Sequence, residues 1–237
     1  MSTPLASTAV AGNILVSDFD GTITRFDFYD LVSRAYPEIA GGFWQQYEAG
    51  EITHFEALRR IFAGIRAPEA ELVAILREME IEPRLAEAVA LLEQRGWRII
   101  VASAGCDWYI RRLLAEAGVG LEVHANSGSY SPTTGLAMRL PDPSPVFSAE
   151  LGINKVAVVR EAMKIACGVA FAGDGRPDLA PALLVRPELR FARKWLARKL
   201  TEIGEAFQPF ESWLDIAVAL TNPTGVSHSE ILGREQP

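Results

Sequence analysis

Asp18 and Asp20 flank Phe19 directly after the short apolar run Asn13–Ser17. Alternation along an extended chain directs both carboxylates to one side. Two carboxylates so close repel, and burial raises at least one pKa unless a cation neutralises the pair. Alone, Asp-x-Asp-Gly reads equally well as a loop start with Asp20-Gly21 as the turn. Three distant segments add to it. Gly173-Asp174-Gly175-Arg-Pro-Asp178 places two more carboxylates after another apolar run. Oxygen ligands clustered without His or Cys suit a hard ion, Mg²⁺ above all. Ser103-Ala104-Gly105 follows a third apolar run and precedes a helical stretch. A hydroxyl and free N–H groups at a helix N-terminus hold a phosphate. Lys155 opens a further helix and supplies the positive charge that a phosphoryl group and an Asp nucleophile require.

Positioning these residues takes buried strands. The runs Asn13–Ser17, Trp97–Ala102, Gly168–Ala172 and the shorter Leu189–Ala192 have the composition of parallel strands. Helical spacing runs through Leu85–Arg95, Trp108–Ala117 and Lys155–Ile165. Strands alternating with helices predict an α/β fold with a mostly parallel sheet. In such sheets ligands sit outside the carboxyl ends of the strands, where three of these runs end in small, polar or acidic residues. The segment 28–83 separates the first two strands. It shows helical stretches around Tyr29–Tyr36, Phe43–Ala49, Phe55–Ala63 and Glu69–Met79, and no strand. It is expected to form a small all-helical cap over the loop of the first strand, with 1–27 and 84–237 as the core. Thr53 and Glu56 have the spacing of a capping box. Ser131–Gly135 reads as a hairpin turn, Pro141–Pro145 as a stiff loop, and the tail after Asn222 as polar and frayed.

Composition removes several classes of function. The 237 residues are 49% hydrophobic and 22% charged, as in a folded globule. Lys and Arg number 23 against 30 Asp and Glu, a formal charge of −7. That argues against a nucleic-acid partner and against binding to anionic membranes. Cys106 and Cys167 are the only cysteines. They support neither a disulfide scaffold nor a cysteine zinc site, and they suit a reducing cytosol. No run approaches the roughly 18–20 apolar residues of a membrane span. Met1–Gly12 lacks the basic start and apolar run of a signal peptide. A cytoplasmic protein is the expectation.

In their order along the chain, Asp18-Phe-Asp-Gly-Thr-Ile-Thr24, Ser103-Ala-Gly105, Lys155 and Gly173-Asp-Gly-Arg-Pro-Asp178 resemble the four motifs of the haloacid dehalogenase superfamily of aspartyl phosphatases. The resemblance spans 13–192 and implies a Rossmann-like core with a helical cap. It implies that Asp18 is the nucleophile and that Asp20 protonates the leaving oxygen and then activates water. Mg²⁺ would be bound by Asp18, the Asp20 carbonyl and Asp174, supported by Thr22, Gly175 and Asp178. Ser103, Ala104 and Lys155 would bind the phosphoryl group. An acid at position 20 suits phosphorus chemistry rather than dehalogenation. The helical insertion resembles the phosphoserine phosphatase-like branch. Phe191-Ala-Arg-Lys-Trp-Leu196 resembles the methionine-salvage enol phosphatases and the phosphoethanolamine/phosphocholine phosphatases. The chain departs from relatives at Ala104, at Arg176-Pro177, and in lacking a cysteine cluster known in some enol phosphatases. The implied activity is Mg²⁺-dependent hydrolysis of a small phosphorylated metabolite. A phosphotransferase or mutase with the same intermediate, or a silent phospho-ligand binder, remain as alternatives. Oligomeric state is left open.

Within the cap, Phe28, Trp44 and Tyr47 are candidate pocket residues, although aromatics at helical spacing also build cores. The early cap shows few basic groups and no clamp for a second phosphate. His54 is read as a surface or capping residue and His124 as structural. Cys106 lies at a helix N-terminus, which favours a thiolate, but with Asp18 available it is given no catalytic role. Arg190–Lys199 is read as a solvated helix face.

Overall fold

The computed structural model describes residues 12–222. The readings of Met1–Ala11 and of the tail past Asn222 lie outside them. In chain order the elements are β1 (Asn13–Ser17), α1 (Phe28–Ala35), α2 (Pro37–Glu48), α3 (His54–Ala63), α4 (Glu69–Arg77), α5 (Leu85–Gln94), β2 (Trp97–Cys106), α6 (Asp107–Glu116), β3 (Glu122–Ser131) and β4 (Gly135–Arg139). There follow β5 (Phe147–Ser148), β6 (Gly152–Ile153), α7 (Lys155–Ile165), β7 (Val169–Gly173), α8 (Leu179–Ala182), β8 (Arg190–Ala192), α9 (Lys194–Glu202), β9 (Gln208–Pro209) and α10 (Trp213–Thr221).

Seven strands form one sheet in the order β4-β3-β2-β1-β7-β8-β9. All pairs are parallel except the β3–β4 hairpin. β1 is central, with Leu15 opposite Ile99 on one side and Ala170 on the other. Its alternation divides the core: Leu15 joins the cluster that contains α5, α6 and α10, while Ile14 and Val16 join the cluster under α7 and α9. Both faces of β1 are thereby buried, which explains its uninterrupted apolar sequence.

The expected strands and helices form, with shifts of one to a few residues at most ends and a larger one in α2, which begins at Pro37 rather than at Phe43. One difference concerns the site. β2 does not stop at Ala102 but continues through Ser103-Ala104-Gly105 to Cys106, and its pairing with β3 is interrupted between Ala102 and Cys106. The small residues are thus a break in the ladder rather than a turn beyond it.

The segment between β1 and α5 is helical, with α1–α4. Its exit and return are stitched together: Thr24 bridges Ile81, and the N–H groups of Arg25 and Phe26 donate to Met79. Phe55, Phe62, Ile65 and Leu72 of this insertion belong to the same apolar cluster as Leu15 and Val101 of the sheet. At α3 half of the capping box forms. Thr53 accepts from the Glu56 N–H, but the Glu56 carboxylate turns to Arg59 and Arg60.

Candidate active site

β1 and β7 end side by side and deliver two acidic loops. Asp18 follows β1, and its N–H still bonds to Ala172 of β7. Asp174 and Asp178 follow β7. Carboxylate oxygens of Asp18, Asp174 and Asp178 all lie within 4.8 Å of one another. Lys155 at the start of α7 enters this group from the side. Asn154 caps that helix and fixes where it begins. Lys155 Nζ donates to Asp18 Oδ1 at 2.7 Å and to Asp178 Oδ1 at 2.6 Å, and all three side chains are buried. The other Asp178 oxygen accepts from the N–H groups of Asp174 and Gly175, at 3.0 and 2.9 Å. Thr22 Oγ1 stands at the edge of hydrogen-bond range of Asp18 and Asp174, at 3.5 and 3.4 Å.

Burial raises the Asp18 pKa well above the ordinary carboxylate value, with Asp178 adding to it and Lys155 opposing. Burial pulls the Lys155 pKa down, but Asp178 and Asp18 outweigh it and the net shift is upward. The ammonium is therefore the fixed charge of the group.

Asp20 has other partners. Tyr109 of α6 donates its hydroxyl to Asp20, 2.9 Å from Oδ1 and 2.8 Å from Oδ2. Ser103 donates to Oδ2 at 3.1 Å, and the Phe28 N–H to Oδ1 at 3.4 Å. Burial pushes the Asp20 pKa up to about 6, against the opposing pull of Tyr109, Ser103 and Phe28. Gly105 makes this approach possible, since a Cβ there would collide with the Tyr109 hydroxyl. The two carboxylates of the first motif are thus held by different partners, and their mutual repulsion raises the Asp18 pKa less than burial and Asp178 do.

Three residues at this edge escaped the sequence reading. Tyr109 sits on the buried stripe of α6 and looked like core. Arg193 and Lys194 belong to the basic run read as a solvated helix face, and that reading is corrected here. Arg193 donates to the carbonyls of Gly21, Thr22 and Thr24, which pins the loop that carries Asp20. Lys194 Nζ bonds the Gly21 and Arg25 carbonyls and Asp174 Oδ2, at 3.1, 3.0 and 3.0 Å. Arg190 is buried as well, on the carbonyls of Ala182, Val185 and Ala206. The available signal was their position just past a short strand, like the other motifs. Gly21 has φ +72°, and a Cβ there would collide with Asp174 Oδ2.

These residues open into a cavity of about 440 Å³. Asp18, Asp20, Ser103, Ala104, Lys155 and Asp174 line its floor, while Trp44, Tyr47 and His54 line the wall from the insertion. Two expectations fail here. Phe28 is no pocket residue: its ring is fully buried, 4.9 Å from Phe62 and 4.7 Å from Tyr109, and only its N–H serves the site. His54 is neither a surface group nor merely a capping one. It lines the cavity, and burial lowers its pKa to about 4. Cys106 has no thiolate character, because burial pushes its pKa up to about 12. His124 pairs with Glu122 on β3, at 2.8 Å.

The chain is similar to known proteins in sequence and in fold. The bifunctional enzyme MtnB/MtnX of Bacillus licheniformis is 25% identical over 208 residues, 86% of this chain, and the chain spans about half (48%) of that protein's length. A 2-hydroxy-3-keto-5-methylthiopentenyl-1-phosphate phosphatase of Microcystis aeruginosa is 26% identical over 205 residues, covering 86% of this chain and 95% of its own. Among solved structures, a phosphoserine phosphatase holding an analogue of its phospho-aspartyl intermediate shares the fold, with a TM-score of 0.61, 17% identity, and coverage of 86% of this chain and 97% of that one. The family model for haloacid dehalogenase-like hydrolases matches residues 15–183, from the middle of β1 to just past α8. The chain belongs to the haloacid dehalogenase-like hydrolases.

Proposed function

We propose that the protein is a Mg²⁺-dependent phosphomonoesterase that works through an aspartyl-phosphate, with α1–α4 acting as its cap. The carrying observation is the division of the first motif's two carboxylates. Burial raises both pKa values, but their partners differ: Asp18 is ion-paired to the buried Lys155 ammonium, which favours its ionised form, whereas Asp20 has no cation in contact and accepts from Tyr109, Ser103 and the Phe28 N–H. A nucleophile must be ionised and a leaving-group acid must hold a proton near neutral pH. These environments separate the two roles.

In the first step an Asp18 oxygen forms a bond to phosphorus, the ester P–O bond breaks, and the leaving oxygen takes the proton of Asp20. In the second step Asp20, now ionised, accepts a proton from water as its oxygen attacks phosphorus, and Asp18 is released. Lys155 and Ser103 line the floor where the phosphoryl group would sit, and Lys155 balances its charge. The donor set fits Mg²⁺, being made of carboxylate oxygens within 4.8 Å of each other with no His or Cys. Asp18, Asp174 and the Asp20 carbonyl would hold the ion. When bound, it supplies charge neutralisation for the phosphoryl oxygens. Both Asp178 oxygens are engaged, by Lys155 and by backbone N–H groups, so Asp178 supports the loop. A cavity of about 440 Å³ suits a small metabolite.

Phosphate release from p-nitrophenyl phosphate tests the reading. Activity is expected with Mg²⁺, loss with EDTA, and return on adding Mg²⁺ back. Full activity after thorough chelation removes the metal from the reading. No hydrolysis at all leaves a silent binder.

A further inference from the structure

Behind the cavity floor lies a buried amide that the proposed chemistry does not use. Asn126 of β3 is fully buried and lies outside the cavity lining. Its Nδ2 donates to the Ala104 carbonyl at 2.8 Å and to the Leu151 carbonyl at 2.9 Å. Two carbonyl partners fix which end of the amide is the nitrogen. Both N–H groups are spent, and Oδ1 is left buried without a hydrogen-bond partner. A buried acceptor without a partner costs stability. The backbone is also shaped around this side chain, since a Cβ at Gly152 would collide with Oδ1. The reason for the amide lies in the ladder break of β2. Pairing with β3 lapses between Ala102 and Cys106, and it resumes with Cys106 opposite Asn126. Inside the break, the Asn126 side chain takes the place of a backbone partner for the Ala104 carbonyl.

The contact reaches the site through one peptide. Its carbonyl, that of Ala104, is held by Asn126, and its N–H, that of Gly105, donates to Ser103 Oγ at 2.9 Å. Ser103 has one hydroxyl proton. With a lone pair taken by Gly105, it donates that proton to Asp20 Oδ2 at 3.1 Å. We propose that Asn126 is a positioning residue for phosphoryl transfer: it holds the Ala104–Gly105 peptide, and through it the Ser103 hydroxyl, in place against Asp20. This rests on the phosphatase reading of the strand ends. The second carbonyl ties the same peptide to the other side of the floor. Leu151 stands four residues before Lys155. Its turn is anchored in the opposite direction to the insertion, where the Glu150 carbonyl accepts the Phe55 N–H at 2.9 Å and the Glu150 carboxylate accepts the His54 N–H at 3.0 Å. One amide thus spans the segments that carry Ser103 and Lys155. Without it both carbonyls lose their shared donor, and the peptide inside the ladder break is free to turn. Misplacing a reacting group by about 1 Å costs on the order of a hundredfold in rate.

A double-variant cycle tests this, with kcat/KM for p-nitrophenyl phosphate as the readout and denaturant midpoints measured on the same samples. Asn126→Ala is expected to lower kcat/KM by about ten- to a hundredfold in protein that stays folded, and Ser103→Ala by at least as much. Because Asn126 acts through Ser103, the variant carrying both substitutions is expected within about twofold of Ser103→Ala alone. Losses that multiply show that Asn126 acts by another route and overturn the proposal. A lowered midpoint with kcat/KM of the folded protein unchanged also overturns it, being the result of an amide that only holds the fold. Should Asn126→Ala not fold, Asn126→Ser, which keeps one donor, runs the same cycle with the same outcomes. Each of these results leaves the phosphatase standing. A parent protein that does not hydrolyse the ester with Mg²⁺ present overturns the phosphatase reading and this inference with it.

Discussion

The floor and the wall of the cavity are built on opposite principles. On the floor every buried polar side chain has a partner: Lys155 holds two carboxylates, Asp178 uses both oxygens, and Asp20 accepts from three donors. On the wall, among the described residues, His54 Nδ1 has none, and Asp27, Asp30 and Glu48 have no ion-pair partner. A fully satisfied set is rigid and suits one fixed group, which under the proposed function is the phosphoryl group with its metal. A wall with unspent hydrogen-bonding and charge is completed by a ligand. The contrast separates chemistry from selectivity, and variants on either side should respond differently.

The largest effect is expected from Asp18→Asn. The substitution keeps the shape and removes the proposed nucleophile, so kcat should fall by at least about a thousandfold with the circular dichroism spectrum unchanged. Retention of more than about a tenth of the activity would falsify the covalent route.

Lys155→Met tests rigidity rather than chemistry. It leaves Asp18 and Asp178 buried without their shared cation. Breaking a buried ion pair from one side costs about 3–5 kcal/mol, read as a lower denaturant midpoint. A variant as stable as the parent means that water or another cation already neutralises the floor.

Tyr109→Phe should act through pH. The Tyr109 hydroxyl stabilises ionised Asp20 and lowers a pKa that burial has raised to about 6. Removing it raises that pKa by about one unit, at roughly 1.4 kcal/mol per unit. In the proposed mechanism the leaving-group step needs protonated Asp20, so its rate falls as pH rises through the pKa. In the variant this fall should lie at higher pH. A uniform loss of activity with no movement of the limb assigns Tyr109 to packing alone.

The same contrast explains what the sequence revealed. Asp18, Asp20, Asp174 and Asp178 were legible because the sheet's topology brings strand ends together, and each residue follows its own apolar run. Lys155 was legible as the first residue of an evident helix. Tyr109 was not, because its role depends on Gly105 leaving room for a hydroxyl, and nothing in an amphipathic helix marks which buried ring carries a tethered carboxylate. Arg193 and Lys194 were hidden in a run of basic residues whose last member, Lys199, does pair with Glu202 on an exposed face. On the wall, aromatic spacing marked Phe28, Trp44 and Tyr47 alike. The rotation of α1 then buried the first against Phe62, while α2 turned the other two to the cavity. Helix rotation is set by tertiary packing, which spacing alone does not encode.

The smallest effect is expected on the wall, from Tyr47→Ala. Tyr47 is half-buried, its ring meets Trp44 and His54 edge-on at 5.0 and 5.3 Å, and it forms no hydrogen bond to any floor residue. Edge-on aromatic pairs contribute about 0.5–1.5 kcal/mol beyond buried area. Losing this one should loosen the wall and raise KM for the best substrate by a factor of about two to ten. The floor is untouched, so kcat should stay within about twofold and the Mg²⁺ concentration for half activation should not move. Loss of binding shared by ground and transition states appears in KM, whereas damage to the chemistry appears in kcat. A large fall in kcat, or a shift in the Mg²⁺ requirement, would mean that the wall sets the geometry of the floor. That outcome has a structural route, since the insertion and the sheet share one apolar cluster. The split between kcat and KM therefore decides whether the two surfaces are independent.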